Sequence, residues 1–350
     1  MDSILIVSYD HHDRRIRKSL ARIVDRLKVT VEQQTCPLRE PTCVAISKNR
    51  LIVGGSNSSP VVSIDMSTMQ EVDRWTNKSQ SWLIGCLPYE DIRLYMCLDE
   101  TVRIQVINND DVSRWRAVER EYLSHLDTEG RQGSWNHGGC VLEKDGHVYY
   151  LLKNYMLKRY KIADIKNGQN TATAEIVESD VACFSKADSG VIYVAHNSGK
   201  ISRLDQKFSF SIPQDFHHKS TPTAIDSHAN MIAVATFDKH HKKIAIHLLT
   251  LKLQLKTQYT MNAMQYLEFA LAIKFFKSSG RHPVQLLSVC RHQLYVDILA
   301  VQRFKVWPVV IKCQTTDSFN YGIILNRVQN TIVAFGNVDE GRMTSIKIVH

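Results

Sequence analysis

The residues of this chain with the clearest metal-binding potential are histidines and acidic residues close to turns. Residues 10–12, Asp-His-His, follow a short apolar run, an arrangement that suits one half of a two-metal hydrolytic site. The other half needs carboxylates after an earlier strand, and only eight residues precede Tyr9. The histidine pairs at 217–218 and 240–241 are adjacent in sequence, so their side chains point apart on a strand, and no His-x-x-x-His spacing supports zinc. We expect loop histidines, with no metal and no other cofactor.

Nucleophilic and phosphate-binding motifs are also missing from the sequence. No Gly-rich phosphate loop and no Gly-x-Ser-x-Gly nucleophile motif occurs. The eight cysteines form no Cys-x-x-Cys pair, and four of them fall in short apolar runs: Cys43, Cys86, Cys140 and Cys183. Buried cysteine behaves as a small hydrophobic residue, so we expect structural thiols in a reducing compartment. No catalytic residue is predicted, and the chain is expected not to be an enzyme.

A second group of candidates consists of basic residues in turns. The chain carries 44 Lys and Arg against 35 Asp and Glu, a formal net charge of +9, and this balance favours acidic partners. No run of five or six like charges occurs, so the excess charge does not lie in a disordered arm. The predicted partner-binding residues are Arg14, Arg15, Arg103, Trp115, Arg116, Arg120, Lys200, Lys239, His240, His241, Lys242 and Lys243.

The elements that would present these residues are strands in a repeating pattern. Short runs rich in Val, Ile, Tyr and Leu recur along the whole chain between turns rich in Gly, Asn, Asp and Ser. In units of four strands, named a to d from an axis outwards, the a strands begin near residues 43, 82, 139, 181, 223, 269 and 321. Their spacing brackets the ~40 to 45 residues of one propeller blade. The sequence therefore predicts an all-β, seven-bladed β-propeller of four-stranded blades, a single domain over residues 1–350.

The seventh unit has no fourth strand of its own. Because an open sheet edge favours aggregation, we expect residues 28–33, within an N-terminal closure segment 1–35, to supply that strand and close the ring. Two interpretations of residues 4–33 remain open. Residues 4–33 resemble part of the fifth unit, which gives strands b, c and d of a partial eighth blade. The spacing of Ile16, Leu20, Ile23 and Leu27 instead predicts a basic amphipathic helix over residues 14–27.

Residues 110–137 lengthen the second unit and are expected to form a helical insertion. Asp110 and Asp111 can cap a helix, and charged residues occupy its second face. The apolar positions at helical spacing are Val112, Trp115, Val118, Tyr122 and Leu126. This helix either packs on its own blade or docks a partner.

Two units resemble WD-repeat proteins at the turn between strands b and c. Residues 98–104 read Leu-Asp-Glu-Thr-Val-Arg-Ile, similar to the Asp-x-Thr-Val-Arg-Ile stretch of that family. Residues 196–205 resemble its Gly-containing variant, with Leu-Asp in place of the terminal Trp-Asp. No Trp-Asp dipeptide occurs, and the only Gly-His, at 146–147, lies between strands a and b. The resemblance implies a divergent WD-repeat-like propeller.

The alternative function is enzymatic. In lactonase-like propellers, carboxylates on the inner strands bind a metal ion on the propeller axis. Asp226 and His228, on the predicted inner strand of the fifth unit, are placed to face such a channel. No matching Asp or Glu recurs on the other predicted inner strands. A hydrolase or lactonase with an axial metal is therefore one alternative. A substrate receptor for a ubiquitin ligase is another, although no adaptor-binding motif is identified.

The predicted basic turns share one face, because the b–c and d–a connections of a propeller lie at the same end. A positive rim there would meet phosphates or acidic peptides. We predict a non-catalytic scaffold for protein–protein contacts within a multisubunit complex, nuclear or RNA-associated. No apolar run reaches the ~18 to 20 residues of a membrane helix, and no signal peptide is visible. We expect an intracellular location, nuclear rather than cytoplasmic, with protein subunits as partners, acidic surfaces or nucleic acid on the basic face, and no membrane contact.

Overall fold

Strands form wherever the sequence places β-branched and aromatic residues between turn residues. The structure is a computed structural model. It describes residues 6–8, 28–35, 41–47, 50–55, 60–75, 82–89, 92–98, 102–108, 115–119, 142–151, 155–166, 175–205, 208–212, 220–238, 241–262, 272–276, 285–292, 295–314, 321–326, 331–335 and 342–349. Almost all of these residues are in strands, and the prediction of an all-β chain is confirmed over them.

The described strands form seven antiparallel sheets, which we number in the chain order of the strands that match the predicted a strands. The first strand of a sheet means this strand, and sheets six and seven each contain one additional strand from the N-terminal region. Sheet one contains β3 (Pro41–Ser47), β4 (Arg50–Gly55), β5 (Val61–Asp65) and β6 (Glu71–Trp75); sheet two contains β7 (Trp82–Tyr89), β8 (Ile92–Leu98), β9 (Val102–Asn108) and β10 (Trp115–Glu119); sheet three contains β11 (Leu142–Lys144), β12 (His147–Leu151), β13 (Leu157–Lys161) and β14 (Glu175–Glu178). Sheet four contains β15 (Val181–Lys186), β16 (Ile192–His196), β17 (Lys200–Arg203) and β18 (Ser209–Ser211); sheet five contains β19 (Ser220–His228), β20 (Met231–Asp238), β21 (Lys243–Thr250) and β22 (Leu255–Asn262). Sheet six contains β23 (Ala272–Phe275), β24 (Gln285–His292), β25 (Tyr295–Gln302), β26 (Lys305–Gln314) and β1 (Ile6–Ser8); sheet seven contains β27 (Tyr321–Asn326), β28 (Thr331–Phe335), β29 (Arg342–Val349) and β2 (Lys28–Thr35).

The first strands of neighbouring sheets lie side by side. β27 contacts β3, β3 contacts β7, and β7 contacts β11. In the other part of the chain β15 contacts β19, and β19 contacts β23. The first strand of each of these sheets therefore lies on the inside, and the later strands of the sheet follow outwards from it.

The fourth strand of sheet seven comes from the N-terminal region. β2 pairs with β29 in an unbroken antiparallel register from Lys28 opposite Val349 to Thr35 opposite Arg342. The two strands are joined by eight residue pairs, so the outer edge of β29 is paired along its whole length. β2 contains the predicted residues 28–33 and extends two residues beyond them.

β1 and β2 belong to different sheets, and the interpretation of residues 4–33 as a partial blade is wrong. β1 pairs with the outer strand of sheet six, with Val7 opposite Ile311, and forms its fifth strand. Two or three strands alone are marginal in water, whereas an exposed strand edge is ready to pair with an added strand. The alternative helix over residues 14–27 lies outside the described residues.

The helix predicted within residues 110–137 is wrong over β10. Trp115 lies opposite Gln105 of β9, and β10 is the fourth strand of sheet two. The apolar residues of this segment also fit a helical spacing. A strand forms instead, because without β10 the outer edge of β9 would be unpaired. The remainder of the predicted insertion, 110–114 and 120–137, lies outside the described residues.

Sheet three departs from the predicted strand boundaries. Its first strand, β11, is described over Leu142–Lys144, and residues 139–141, where the sequence predicts the start of this strand, lie outside the described residues. A short helix that was not predicted, α1 (Ile162–Lys166), follows β13 and contacts β9 of sheet two. None of the described helical residues forms a segment long and apolar enough to cross a membrane.

The core lies between the faces of neighbouring sheets. All eight residues of β20 are buried, because this strand packs against a neighbouring sheet on each of its two faces. One cluster joins Ile246 of sheet five to Phe275 and Leu299 of sheet six, and another joins Tyr193 of sheet four to Val234 of sheet five. Burial of each large apolar side chain contributes roughly 1.5–3 kcal/mol, so these clusters are the main force that holds sheet to sheet.

Candidate interaction face

Polar contacts between neighbouring sheets show which turns share an end. Asp188, after the first strand of sheet four, accepts hydrogen bonds from the backbone N–H of Ala229 at 3.0 Å and from Nδ1 of His228 at 2.8 Å, both beside the corresponding turn of sheet five. Phe275, at the end of the first strand of sheet six, lies against the His228 ring. The a–b turns of sheets four, five and six therefore lie at one end, the lower face. Since consecutive strands are antiparallel, their b–c turns lie at the opposite end, the upper face.

The upper turn of sheet four is held by a buried histidine. Nδ1 of His196 lies 3.2 Å from the carbonyl oxygen of Ser179, and Nε2 lies 2.9 Å from Oγ of Ser202. Since a carbonyl only accepts, Nδ1 donates to Ser179, and Nε2 shares a hydrogen bond with the serine hydroxyl. His196 thereby fastens the b–c turn to strand c and to the residues before β15.

Asp180 also links the b–c connection of sheet four to the d–a connection that precedes β15. Its carbonyl oxygen accepts the backbone N–H of Asn197 at 2.8 Å, and its Oδ2 accepts the backbone N–H of Ser198 at 3.1 Å. Asp180 has φ +59°, a left-handed conformation that acidic residues tolerate better than most. The d–a and b–c connections of this sheet are thus fixed against each other at the upper face.

The upper turn of sheet five is built on a second aspartate. Asp238, which is buried, accepts the backbone N–H of His241 at 3.0 Å through Oδ1, and its Oδ2 lies 2.7 Å from Nδ1 of His241. Lys242 follows with φ +50° and completes the turn into β21. A short polar side chain that bonds the backbone three residues later is a common way to fix a tight turn. The fixed turn leaves the lysine side chains directed to solvent.

Four predicted partner-binding residues are described with their side chains, and all are exposed at this end of the molecule: Lys200, His241, Lys242 and Lys243. Within the described part of the chain, no carboxylate forms an ion pair with any of the three lysines. Arg103, Trp115 and Arg116 are placed through the backbone of the paired strands β9 and β10. The remaining predicted residues lie outside the described residues: Arg14, Arg15, Arg120, Lys239 and His240. The binding role of all twelve stays a prediction.

Asp226, the candidate ligand for an axial metal, is engaged by protein groups. Its Oδ2 accepts the backbone N–H of Phe275 at 2.8 Å. Its Oδ1 lies 3.4 Å from both Nζ of Lys274 and Oγ of Ser185. This carboxylate therefore joins the inner strands of sheets four, five and six. Among the residues that the structure describes, no three His, Cys, Asp or Glu side chains come together as a metal site.

Two further buried polar side chains were not identified from the sequence. Tyr193 of sheet four donates its hydroxyl to the carbonyl oxygen of Leu251 in sheet five at 2.9 Å, and burial raises the pKa of this tyrosine. His247, on the third strand of sheet five, is completely buried with Nε2 3.1 Å from Oγ1 of Thr236. Burial lowers the pKa of His247 to about 4, so its ring is neutral at neutral pH. Such contacts join residues up to 58 positions apart, and no local motif indicates them.

Comparisons with known proteins agree with this arrangement at the level of fold. No family model matches the sequence, and no curated protein matches it. The solved structure of BBS1N in complex with ARL6DN superposes with a TM-score of 0.58 at 11% identity, over 100% of this chain and 98% of that one. The Cps50 (Swd1) β-propeller domain of Myceliophteria thermophila superposes with a TM-score of 0.57 at 11% identity, over 91% of this chain and 100% of that one. The computationally designed protein Ika8 gives a TM-score of 0.50 at 12% identity, over 90% and 98%.

At sequence identities near 11%, these superpositions show a shared fold and nothing further. Antiparallel sheets of four or five strands, packed face to face with their first strands inside, are the architecture of a propeller. The arrangement of the strands and the structural similarities lead to the same conclusion: this chain has a β-propeller fold.

Proposed function

We propose that the seven sheets are the seven blades of one closed ring, and that β2 completes the seventh. Three observations support this proposal: the eight-residue pairing of β2 with β29, the contact between β27 and β3, and the place of β1 as a fifth strand of sheet six. The N-terminal strand β2 covers the outer edge of β29, which would otherwise be unpaired.

On this fold we propose a non-catalytic scaffold that makes protein–protein contacts within a multisubunit complex, through its upper face. The proposal rests on the difference between the buried and the exposed ionisable groups among the described residues. The buried ones, such as Asp226 and Asp238, bond to neighbouring strands and turns, whereas the exposed lysines of the upper face form no ion pair with any residue that the structure describes. The buried groups stabilise the fold, and the exposed lysines are available to bind another molecule.

The nature of the partner follows from the charge of that face. Lysines without ion pairs favour an acidic surface, which is a protein face rich in Asp and Glu or the phosphates of RNA. A nuclear or RNA-associated complex is our proposal for the setting. The BBS1N structure, solved in complex with ARL6DN, is a case of a similar fold with a protein partner, and it supports the class of function only.

The test is affinity purification of the tagged full-length chain from cells, with co-purifying proteins quantified by mass spectrometry. The variant Lys242→Glu/Lys243→Glu reverses two exposed charges of the upper face. We expect it to lose most of the partners that wild-type protein retains, because attraction to an acidic surface becomes repulsion. Crosslinking to RNA in the same cells measures the nucleic-acid contact directly.

The matched control is Lys144→Glu/Lys161→Glu, which reverses two lysines at the lower end of sheet three. Both double variants should melt at the wild-type temperature, since all four lysines are exposed or half-exposed. A wild-type chain recovered only as a free monomer would remove the scaffold proposal. Equal partner loss in the two variants would remove the upper face from it.

A further inference from the structure

The lower ends of sheets five and six form a basic surface that the sequence pattern alone did not single out. The c–d turns of these sheets and the a–b turn of sheet five occupy residues 249–257, 301–306 and 227–231, and none of these segments contains Asp or Glu. Four cations in the two c–d turns and the start of β22 are exposed: Lys252, Lys256, Arg303 and Lys305. We call these four residues the lower patch.

The two turns of the lower patch lie together because their sheets pack face to face. The a–b turns of sheets five and six are at the lower face, and c–d turns lie at the same end because strands alternate in direction. Phe304, in the turn of sheet six, packs against the apolar cluster that sheets five and six share, and the outer strand β22 of sheet five contacts β26 of sheet six. The cations of the two turns therefore flank one seam between sheets.

The turn of sheet six adopts a backbone that its residues do not favour. Arg303 and Phe304 have φ values of +47° and +64°, and Gln302 pairs with Lys305 across this two-residue loop. Such loops normally use Asn or Gly, because other side chains are strained in the left-handed region. Packing of Phe304 against the cluster shared by sheets five and six holds the turn in place, and Arg303 beside it is exposed to solvent.

The charges of the lower patch are not neutralised by the described residues. Each of its four cations lacks an ion pair there. Two acids lie in the lower turns of sheet four: Asp188 is bonded to His228 and Ala229, and Asp205 is paired with Arg203. The upper face differs, because Asp180 and Asp238 lie among its cations. The lower patch is thus the more uniformly positive of the two surfaces.

We propose that the lower patch is a second binding surface, and that its partner is a protein segment in which Asp and Glu are interspersed with apolar residues. Three of its cations are lysines, and partly buried apolar residues are their neighbours in sequence: Leu251 and Leu255, which pack against the cluster shared by sheets four and five, and Phe304 and Val306, which pack against the cluster shared by sheets five and six. A segment with carboxylates and apolar side chains satisfies both features, whereas a sugar–phosphate backbone uses only the charges. The proposal goes beyond the upper-face function and does not depend on it.

The experiment measures binding in solution with purified full-length protein. The probe is a fluorescein-labelled peptide rich in Glu with interspersed Leu, and its fluorescence anisotropy gives the dissociation constant. A peptide with Gln in place of Glu and a single-stranded RNA of similar length are compared with it. We expect the acidic peptide to bind best, and to bind more weakly as salt is raised.

The decisive variant is Lys252→Glu/Lys305→Glu, one exposed lysine from each turn, which avoids the strained Arg303. We expect about a tenfold loss of affinity for the acidic peptide, since two exposed attractions become repulsions. The variant Lys144→Glu/Lys161→Glu reverses two lysines of sheet three that belong to neither the upper face nor the lower patch; it is the matched control and should change the affinity less than about twofold.

Three results would overturn the proposal. They are no binding of the acidic peptide, equal losses in the two variants, and tighter binding of the RNA with the same dependence on Lys252 and Lys305. The third result would assign the lower patch to nucleic acid. None of these results bears on the co-purification test of the upper face, so the two proposals fail separately.

Discussion

Substitution of Asp226 by Ala tests whether this carboxylate ties three sheets together. Its side chain is 2% exposed and accepts the N–H of Phe275 at 2.8 Å, so truncation removes a charged acceptor and leaves a buried donor without it. A hydrogen bond to a charged group contributes about 1.5–3 kcal/mol, and an unsatisfied buried donor costs about 1–3 kcal/mol. The contact with Lys274 adds little, because that lysine is 31% exposed and its Nζ lies 3.4 Å away.

We therefore expect Asp226→Ala to lower the free energy of unfolding by about 3 kcal/mol, the middle of these overlapping ranges. Asp226→Asn keeps an oxygen acceptor for Phe275 in nearly the same shape, and a loss of about 1 kcal/mol is expected. The assay is urea unfolding followed by circular dichroism, with the midpoint compared at an unchanged slope.

The matched control is Asp73→Ala, an exposed aspartate on the outer strand β6 whose side chain bonds only the N–H of the next residue. A change within about 0.5 kcal/mol is expected for it. If Asp226→Ala also stayed within that range, the carboxylate would not be a tie between sheets. If Asn were as damaging as Ala, the charge would matter more than the hydrogen bond, and our reasoning would be refuted.

Two further predictions concern buried polar groups of sheets four and five. Because burial lowers the pKa of His247 to about 4, the unfolded chain takes up a proton between pH 6.5 and about 4 that the folded chain does not. The contribution of this neutral ring is fully present above pH 6.5, and about 3 kcal/mol is lost as the pH falls through about 4. Urea unfolding across this range should therefore show a smaller loss in His247→Gln than in wild type, and identical pH slopes would contradict the assignment. Tyr193→Phe removes the hydroxyl that reaches Leu251 and should cost about 1 kcal/mol, measured by the same unfolding assay; an unchanged midpoint would mean that water replaces this bond without loss.

The strands were predictable where their residues carry a local signal. β20 begins with five consecutive apolar residues and is flanked by turn residues, so its place in the fifth unit follows from the sequence. β10 was missed because Trp115 and Val118 also fit a helical spacing, and only the unpaired edge of β9 decides between helix and strand. The periodicity of apolar residues within a segment carries no information about an unpaired strand edge elsewhere in the chain.

The partners of strands and polar side chains were less predictable than the strands. β1 has the composition of an edge strand, but nothing in its three residues indicates that it pairs with β26 instead of a neighbour in sequence. The contact of Asp188 with His228 joins two turns in different sheets across 40 positions. The upper-face lysines were identified because b–c turns can be located from the repeat, whereas the lower patch required knowing which sheets adjoin.

The register between Lys28 and Val349 has a consequence for synthesis of the chain. β2 emerges from the ribosome early, and its hydrogen-bonding partner emerges only after nearly all the other described strands. For that interval β2 lacks the strand it pairs with, and unpaired strands are prone to misassembly. Contacts of such large sequence separation also slow folding, so we expect the docking of β2 onto β29 to be a late step in forming this sheet.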